Sequence, residues 1–410
     1  MTVTAPAGRG WPSPPRILRD LSAENAVNAA VGFLFASTGP VAIILKVGVE
    51  GGLSEAEIAS WLFGSFFLNG LITIPFCLHY RQPLVFFWSI PGAVLVGPAL
   101  DHMSFAAVLG AYYATGVLML VLGVSGLVRK VMALIPMPIV MGMVAGVFLR
   151  FGLGLVLAVD QQVAVALPMV AVFLAVSAFP ALSRKLPPML ATLAVGAVVA
   201  VALGEFGAIG DRPLDPIVRP LLLTPSFTWE AMVELVVPLA ITVLVVQNGQ
   251  GTAVLLAGGH RPPVSANAAA CGVGSILSAA VGGVSTCLTG PVNAILTQGR
   301  NRETQYAGGV LVALFGMAFG ACAPVFTRLL LAAPGAFIAT IAGLAMLRPL
   351  QLAFQGAFQR HCTLGALVTF LVTVSDITVA NIGAAFWGLL AGLAVSWVLE
   401  RDDMAAARQA

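Results

Sequence analysis

The chain has 410 residues, 59% of them hydrophobic and 9% charged, with a mean hydropathy of +0.99 and a formal net charge of +3. No soluble domain of this length hides so much apolar surface, so the composition excludes a soluble enzyme and points to an all-α polytopic membrane protein. Apolar runs of about 18 to 25 residues recur from Asn25 to Glu400, each able to cross a hydrocarbon core of about 30 Å, and they leave no room for a soluble domain.

The chain begins with a lead, 1–21, whose "WPSPPRILRD" has prolines and arginines but no apolar stretch or cleavage site, and reads as cytoplasmic rather than as a signal peptide. Fourteen candidate spans follow, at roughly 25–47, 54–78, 84–100, 104–126, 134–158, 163–183, 187–205, 228–250, 264–283, 284–298, 304–330, 332–350, 362–379 and 381–399. With the N-terminus inside, the cytoplasmic segments collect Arg9, Arg16, Arg19, Arg81, Arg129, Lys130, Arg184, Lys185, Arg261, Arg300, Arg302, Arg348, Arg360, Arg401 and Arg408. Lys46, Arg212, Arg219 and Arg328 fall outside with Asp101, Asp160, Asp211 and Asp215. The positive-inside rule therefore supports both the count and the orientation, with N- and C-termini cytoplasmic.

A non-spanning stretch, 206–227, contains "GDRPLDPIVRPLLLTP" and divides the chain into two sets of seven. Seven is odd, so the second set enters from the opposite side, the arithmetic of a 7+7 inverted repeat. The third span of each set supports this reading. "LVFFWSIPGAVLVGPAL" and, roughly 200 residues later, "VSTCLTGPVNAILTQG" each show an extended-looking run, a hydroxyl residue (Ser89, Thr289) and a proline suited to a first helical turn. Pro91 to Leu100 covers only about 15 Å at 1.5 Å per residue, half a bilayer. The half-helix starts are then Pro91 with Gly92, and Gly290 with Pro291. Unpaired backbone is costly in lipid, so Leu84 to Trp88 and Val284 to Leu288 are expected to pair as a two-stranded element. The helix starts would face each other and offer free N–H groups to an anion. Two Pro-kinked full helices are the ligand-free alternative.

Span eight, "VPLAITVLVVQNGQGTAVLLAGGH", sets Gln247, Asn248 and Gln250 deep in an apolar helix, where amides need a cavity or a partner helix. Ser37 and Thr38 in "FASTGPVAIIL" form a polar kink, or bond back to the preceding turn. Asn293 adds an amide in the second half-helix, and Phe86, Phe87 and Trp88 offer an aromatic wall or ordinary core packing. Asp376 and Glu234 are the proton-relay candidates, with interfacial carboxylates as the alternative; Arg150, near the end of span five, reads as a snorkelling cation. Gly142/Gly146, Gly316/Gly320 and Gly388/Gly392 read as close helix packing, and the five cysteines as small buried hydrophobes. No nucleotide-binding loop, metal motif or nucleophile triad is present, so an enzyme, a cofactor, a metal and a nucleic-acid partner are not expected, and any transport is secondary or passive.

"VPLAITVLVVQNGQGTAVLLAGGHRPPV", "STCLTGPVNAILTQGRNRETQYAGGVLVALFGMAFG", "LAAPGAFIATIAGLAML" and "NIGAAFWGLLAGLAVSW" resemble the benzoate membrane transporter family, BenE, over nearly all spans. That family is similar to the uracil-permease and sulfate-permease groups. The resemblance implies their fold: a core domain (22–126 and 228–330, spans 1–4 and 8–11) moving against a gate domain (127–205 and 331–400, spans 5–7 and 12–14), with 401–410 a cytoplasmic tail. It places Gln247 where uracil-permease-like proteins carry a glutamate, and Ser89 and Thr289 in the pocket lining. A neutral amide there suits a ligand that brings its own charge. Where the family pattern is Gln-Asn-Leu-Pro-Gly, this chain has Gln-Asn-Gly-Gln-Gly at 247–251, and its tenth span is more polar.

The expectation is a bacterial inner-membrane symporter importing an aromatic carboxylate such as benzoate with protons. The carboxylate would bond Ser89, Thr289, Gln247, Asn248 and Asn293, near Ser37 and Thr38, and the ring would meet Phe87 or Trp88. A nucleobase or inorganic-anion carrier of the same fold is the nearer alternative and a channel-like anion conductor the other; a homodimer is common in this fold.

Overall fold

Small polar residues open helices just ahead of the apolar runs. Ser22 accepts the Asn25 N–H at 3.1 Å, Ser104 that of Ala107 at 3.3 Å, and Thr228 that of Ala231 at 3.4 Å. Ser54 and Glu57 form a reciprocal capping box. Each satisfies a backbone donor for which the helix has no partner.

The computed structural model describes residues 11–128, 130, 136–183, 186–207, 215–359, 361–380 and 382–407. Of the charge pattern, Arg9, Arg129, Arg184, Lys185, Asp211, Arg212, Arg360 and Arg408 lie outside the described residues.

A lead helix α1 (Pro14–Asp20) precedes α2 (Ala23–Ser37), α3 (Gly39–Glu50) and α4 (Glu55–Tyr80). Strand β1 (Phe86–Trp88) leads into α5 (Ile90–Leu100), followed by α6 (Phe105–Ser125), α7 (Met137–Gln161), α8 (Val163–Ala178) and α9 (Pro188–Ala202). The second half holds α10 (Trp229–Ala257), α11 (Val264–Ala279), β2 (Thr286–Leu288), α12 (Gly290–Leu296), α13 (Gln305–Ala321), α14 (Ala323–Leu331), α15 (Gly335–Ala357), α16 (Thr363–Ser375), α17 (Ala384–Leu399) and a tail helix α18 (Arg401–Ala407). Among the described residues seven helices are long and apolar enough to cross a membrane, counting α2 with α3 as one, and six shorter apolar helices accompany them. Val117, Val121 and Val124 on α6 and Val156 and Leu157 on α7 are exposed. That surface suits hydrocarbon as its solvent, and the molecule is a polytopic helical membrane protein.

The first long helix is broken at Thr38, whose backbone leaves the helical region just before Gly39 and Pro40. The Thr38 hydroxyl bonds back to the Leu34 carbonyl at 2.7 Å, so the polar kink read from the sequence is a true interruption. Helices α4 and α10 contain π-helical stretches at Gly64–Leu68, Met232–Val236 and Thr242–Gln247, which no sequence period announces.

The two strands pair antiparallel, with Phe86 opposite Leu288, Phe87 opposite Cys287 and Trp88 opposite Thr286. Side chains satisfy the backbone around this short ladder. The Val85 N–H donates to Asn293 Oδ1 at 3.1 Å, that of Phe86 to Thr73 Oγ1 at 2.9 Å, that of Thr286 to Ser275 Oγ at 2.9 Å, and that of Leu288 to Asn248 Oδ1 at 2.7 Å. Extended backbone survives in an apolar interior because every one of these donors has an acceptor.

Helix α7 packs along α15 and α16, α16 along α17, and α8 along α9. Separately, α6 packs along α11, α13 along α2 and α4, and α10 along α12; α3 touches both α5 and α15. Glycines set the closest approaches. A Cβ on Gly142 would press on the Ala366 backbone, and one on Gly388 would lie 2.6 Å from Thr373 Oγ1. The described part of the connector, from Asp215, runs extended across helix ends. Its Val218, Leu223 and Ser226 N–H groups donate to the Ala321, Ala280 and Ala106 carbonyls, and its Leu221 N–H to Ser60 Oγ.

Candidate functional site

The stretch Gln247–Gly251 of α10 lies against β2 and the start of α12. A Cβ on Gly251 would sit 2.8 Å from the Leu288 carbonyl oxygen, so only glycine lets the two backbones come this close. The next contact is polar: exposed Gln250 rests its amide where a Cβ on Gly290 would stand, 2.6 Å from its Oε1. Nothing lies within 4 Å of where a Gly249 side chain would begin. Gln247, Gln250 and Gly251 share this face of the helix, and Gly249 points away from it.

The three amides of the stretch do different work. Asn248 turns inward; its Oδ1 accepts the Leu288 N–H, and its Nδ2 lies 3.4 Å from Cys271 Sγ. Its Oδ1 is thus engaged by the β2 backbone and its Nδ2 by the α11 cysteine. Gln247, at the end of a π-helical stretch, is largely buried, and among the described residues its amide has no hydrogen-bond partner. Gln250 reads in the sequence as one more amide in an apolar helix, and only the fold sets it against Gly290.

The two helix starts differ as well. Ser89 is 0% exposed, and its Oγ accepts the Gly92 N–H at 3.1 Å while Leu239 packs over Gly92. It caps α5, and Pro91 behind it is buried. Thr289 makes no such cap bond and keeps some exposure, and Pro291 is half-buried. The sequence treats the two starts as equivalent; the structure leaves the Thr289 start the more accessible. Asn293 is fully buried with its Oδ1 on Val85, and its Nδ2 has no partner among the described residues. Phe87 packs on Phe66 with ring centroids 5.2 Å apart, and Trp88 is 4% exposed. Both rings belong to the apolar interior around β1. Ser37 is half-buried, and the Thr38 hydroxyl is spent on Leu34.

The acidic candidates lie elsewhere, around a small cleft of about 20 Å³ bordered by α5, α7, α10, α16 and the start of α17. Glu234 is 4% exposed; its Oε2 lies 3.0 Å from His102 Nε2 and accepts the Gly383 N–H at 2.7 Å. Asp376 is exposed and pairs with Arg150. Arg150 sits in the middle of α7 and is held by this partner, so it is not the snorkelling cation expected near a helix end. A single histidine in a turn carries no sequence pattern, so only the fold sets His102 against Glu234.

Residues 20–398 match the sequence model of a family described as benzoate membrane transport protein. The inner membrane protein YdcO of Escherichia coli is 28% identical over 368 residues, covering 88% of this chain and 93% of that one. The benzoate membrane transport protein of Acinetobacter baylyi is 28% identical over 393 residues, covering 93% of this chain and 96% of that one. Among solved structures, the transmembrane domain of a cyanobacterium bicarbonate transporter, BicA, superposes with a TM-score of 0.63 at 16% identity, covering 95% of this chain and all of that one. At that identity the likeness is one of fold.

Proposed function

The chain belongs to the benzoate membrane transport protein family, and from that premise we propose that it is a secondary transporter importing an aromatic carboxylate such as benzoate in symport with protons. The single observation that carries the site is an exposed Gln250 whose amide rests on Gly290 at the start of α12. Gln247, Gln250 and Thr289 supply neutral donors to the carboxylate, which brings the negative charge itself. Asn248, Ser89 and Asn293 hold β1, β2 and α5 in place behind them. Phe87 and Trp88 back the site with apolar surface, and Ser37 and Thr38 lie at the neighbouring helix break.

In this reading the seven long helices, the six shorter ones and α12 are fourteen spans in a 7+7 inverted repeat. The core domain comprises 22–126 and 228–330, and the gate 127–205 and 331–400. Alternating access carries the site from one face of a bacterial inner membrane to the other, with both termini cytoplasmic. Glu234 is the proton-coupling carboxylate, and a homodimer is the assembly to look for.

Radiolabelled benzoate uptake into proteoliposomes, with and without an imposed pH gradient, tests substrate and coupling together. Saturable uptake that rises with the inward proton gradient is expected. Conductance without saturation would reject a carrier. The bicarbonate-transporter fold favours a second reading, an inorganic-anion carrier. A thermal-shift panel of benzoate, nucleobases, bicarbonate and sulfate separates the two by which compound stabilises.

A further inference from the structure

We propose, resting on the proton-symport reading above, that His102 and Glu234 jointly bind the transported proton, at the seam where α17 meets α5 and α10. The His102 Nδ1 lies 3.1 Å from the Pro98 carbonyl oxygen, an atom that only accepts, so Nδ1 carries a hydrogen. Its Nε2 lies 3.0 Å from Glu234 Oε2. A bare nitrogen lone pair facing a bare carboxylate oxygen repels at that distance, so one proton lies between them. Imidazolium with carboxylate, and neutral imidazole with carboxylic acid, are two drawings of the same proton count, and the proton belongs to the pair.

The same Oε2 accepts the Gly383 N–H at 2.7 Å, and a Cβ on Gly383 would collide with the Glu234 carboxylate. Glycine is thus what lets the start of α17 lie directly on the pair. The cleft beside it, lined in part by Glu234, has room for about one water. The other charged groups lining that cleft, Arg150 from α7 and Asp376 from the end of α16, are paired with each other and bring no net charge. Loss of the proton leaves the neutral ring one hydrogen for two acceptors, so either the Pro98 carbonyl or the nearly buried carboxylate loses its donor, a state relieved by parting the seam and admitting water. Closure therefore binds a proton and opening releases it to water, with no bond to carbon made and no electron moved. By linkage, proton binding favours closure to the same extent.

Helices α5 and α10 join this pair to the candidate substrate site. Ser89 caps one end of α5 while Pro98 and His102 lie at the other, and α10 carries both Glu234 and Gln247.

The test compares wild type, Glu234→Gln, His102→Gln and, as a control, Asp376→Asn in proteoliposomes. Counterflow of labelled benzoate, which moves no net proton, is measured beside uptake driven by an inward proton gradient, after subtracting protein-free vesicles. The ratio of gradient-driven uptake to counterflow is expected to collapse in both pair variants and to persist in Asp376→Asn. A wild-type ratio in either pair variant overturns the inference and leaves proton symport standing. So does a collapse confined to Asp376→Asn. Wild-type counterflow without any gradient effect overturns proton symport itself. Loss of counterflow in both pair variants, with thermal unfolding unchanged, assigns the pair to the architecture of the seam and overturns the inference too.

Discussion

Asn248 and Gln250 are two residues apart on α10 and face opposite duties. Asn248→Ala strips the buried Leu288 N–H of its acceptor and is expected to cost about 1–3 kcal/mol, read as a lower thermal midpoint in detergent. Gln250→Ala removes an exposed amide; stability should stay within about 0.5 kcal/mol while the stabilisation given by benzoate shrinks. Equal destabilisation by both would make Gln250 architecture. The sequence shows that amides in an apolar helix need partners, but not which partner each one finds. A π-helical stretch ending at Gln247 shifts the register by which neighbours would be counted around the helix. The same limit hid the Ser89 cap: its hydroxyl and that of Thr289 look alike on paper, and only the folded chain gives one a Gly92 N–H to accept and leaves the other without a cap bond.

At the scale of elements, glycine spacing was a faithful signal. Gly388 and Gly392 were read as close packing, and α17 indeed lies on α16 there, with a Gly392 Cβ overlapping Thr369 and lying 2.5 Å from the Gly365 carbonyl oxygen. Gly392→Val should force the helices apart at a cost of about 1–3 kcal/mol, measurable by thermal unfolding. The tail helix α18 gives a pH-dependent contact. The Cys362 N–H, donating to Asp403 at 3.0 Å, and then His361 hold the Asp403 carboxyl below its usual range. A carboxyl lowered by folding contributes stability that is present above its ordinary pKa of about 3.9 and lost as pH falls through the lowered value. Protease protection of the tail should therefore decline only in strong acid, and Asp403→Asn should remove it at neutral pH. The strand and short-helix units were legible because Pro91 and Pro291 recur at matching places; their pairing followed from the need to satisfy backbone in oil.

Across the whole molecule, each apolar run expected to span contains a helix, since twenty apolar residues in a row have few other uses. What composition does not contain is which helices move together. Gly39 on α3 meets Ala345 on α15 and Met189 on α9, where a Cβ would lie 2.7 and 2.9 Å from their side chains. If core and gate slide at this seam, Gly39→Val wedges it. Uptake should be lost while benzoate still raises the thermal midpoint; retained uptake would locate the sliding surface elsewhere. The paired strands carry a further consequence, for biosynthesis. Val85 finds its acceptor on a residue 208 positions later, so the first half waits for the second before its strand is satisfied. At ~5–20 residues per second that wait lasts on the order of 10 to 40 s. During it the nascent half-protein holds open backbone inside the bilayer, and it is in this interval that the chain depends most on its insertion machinery.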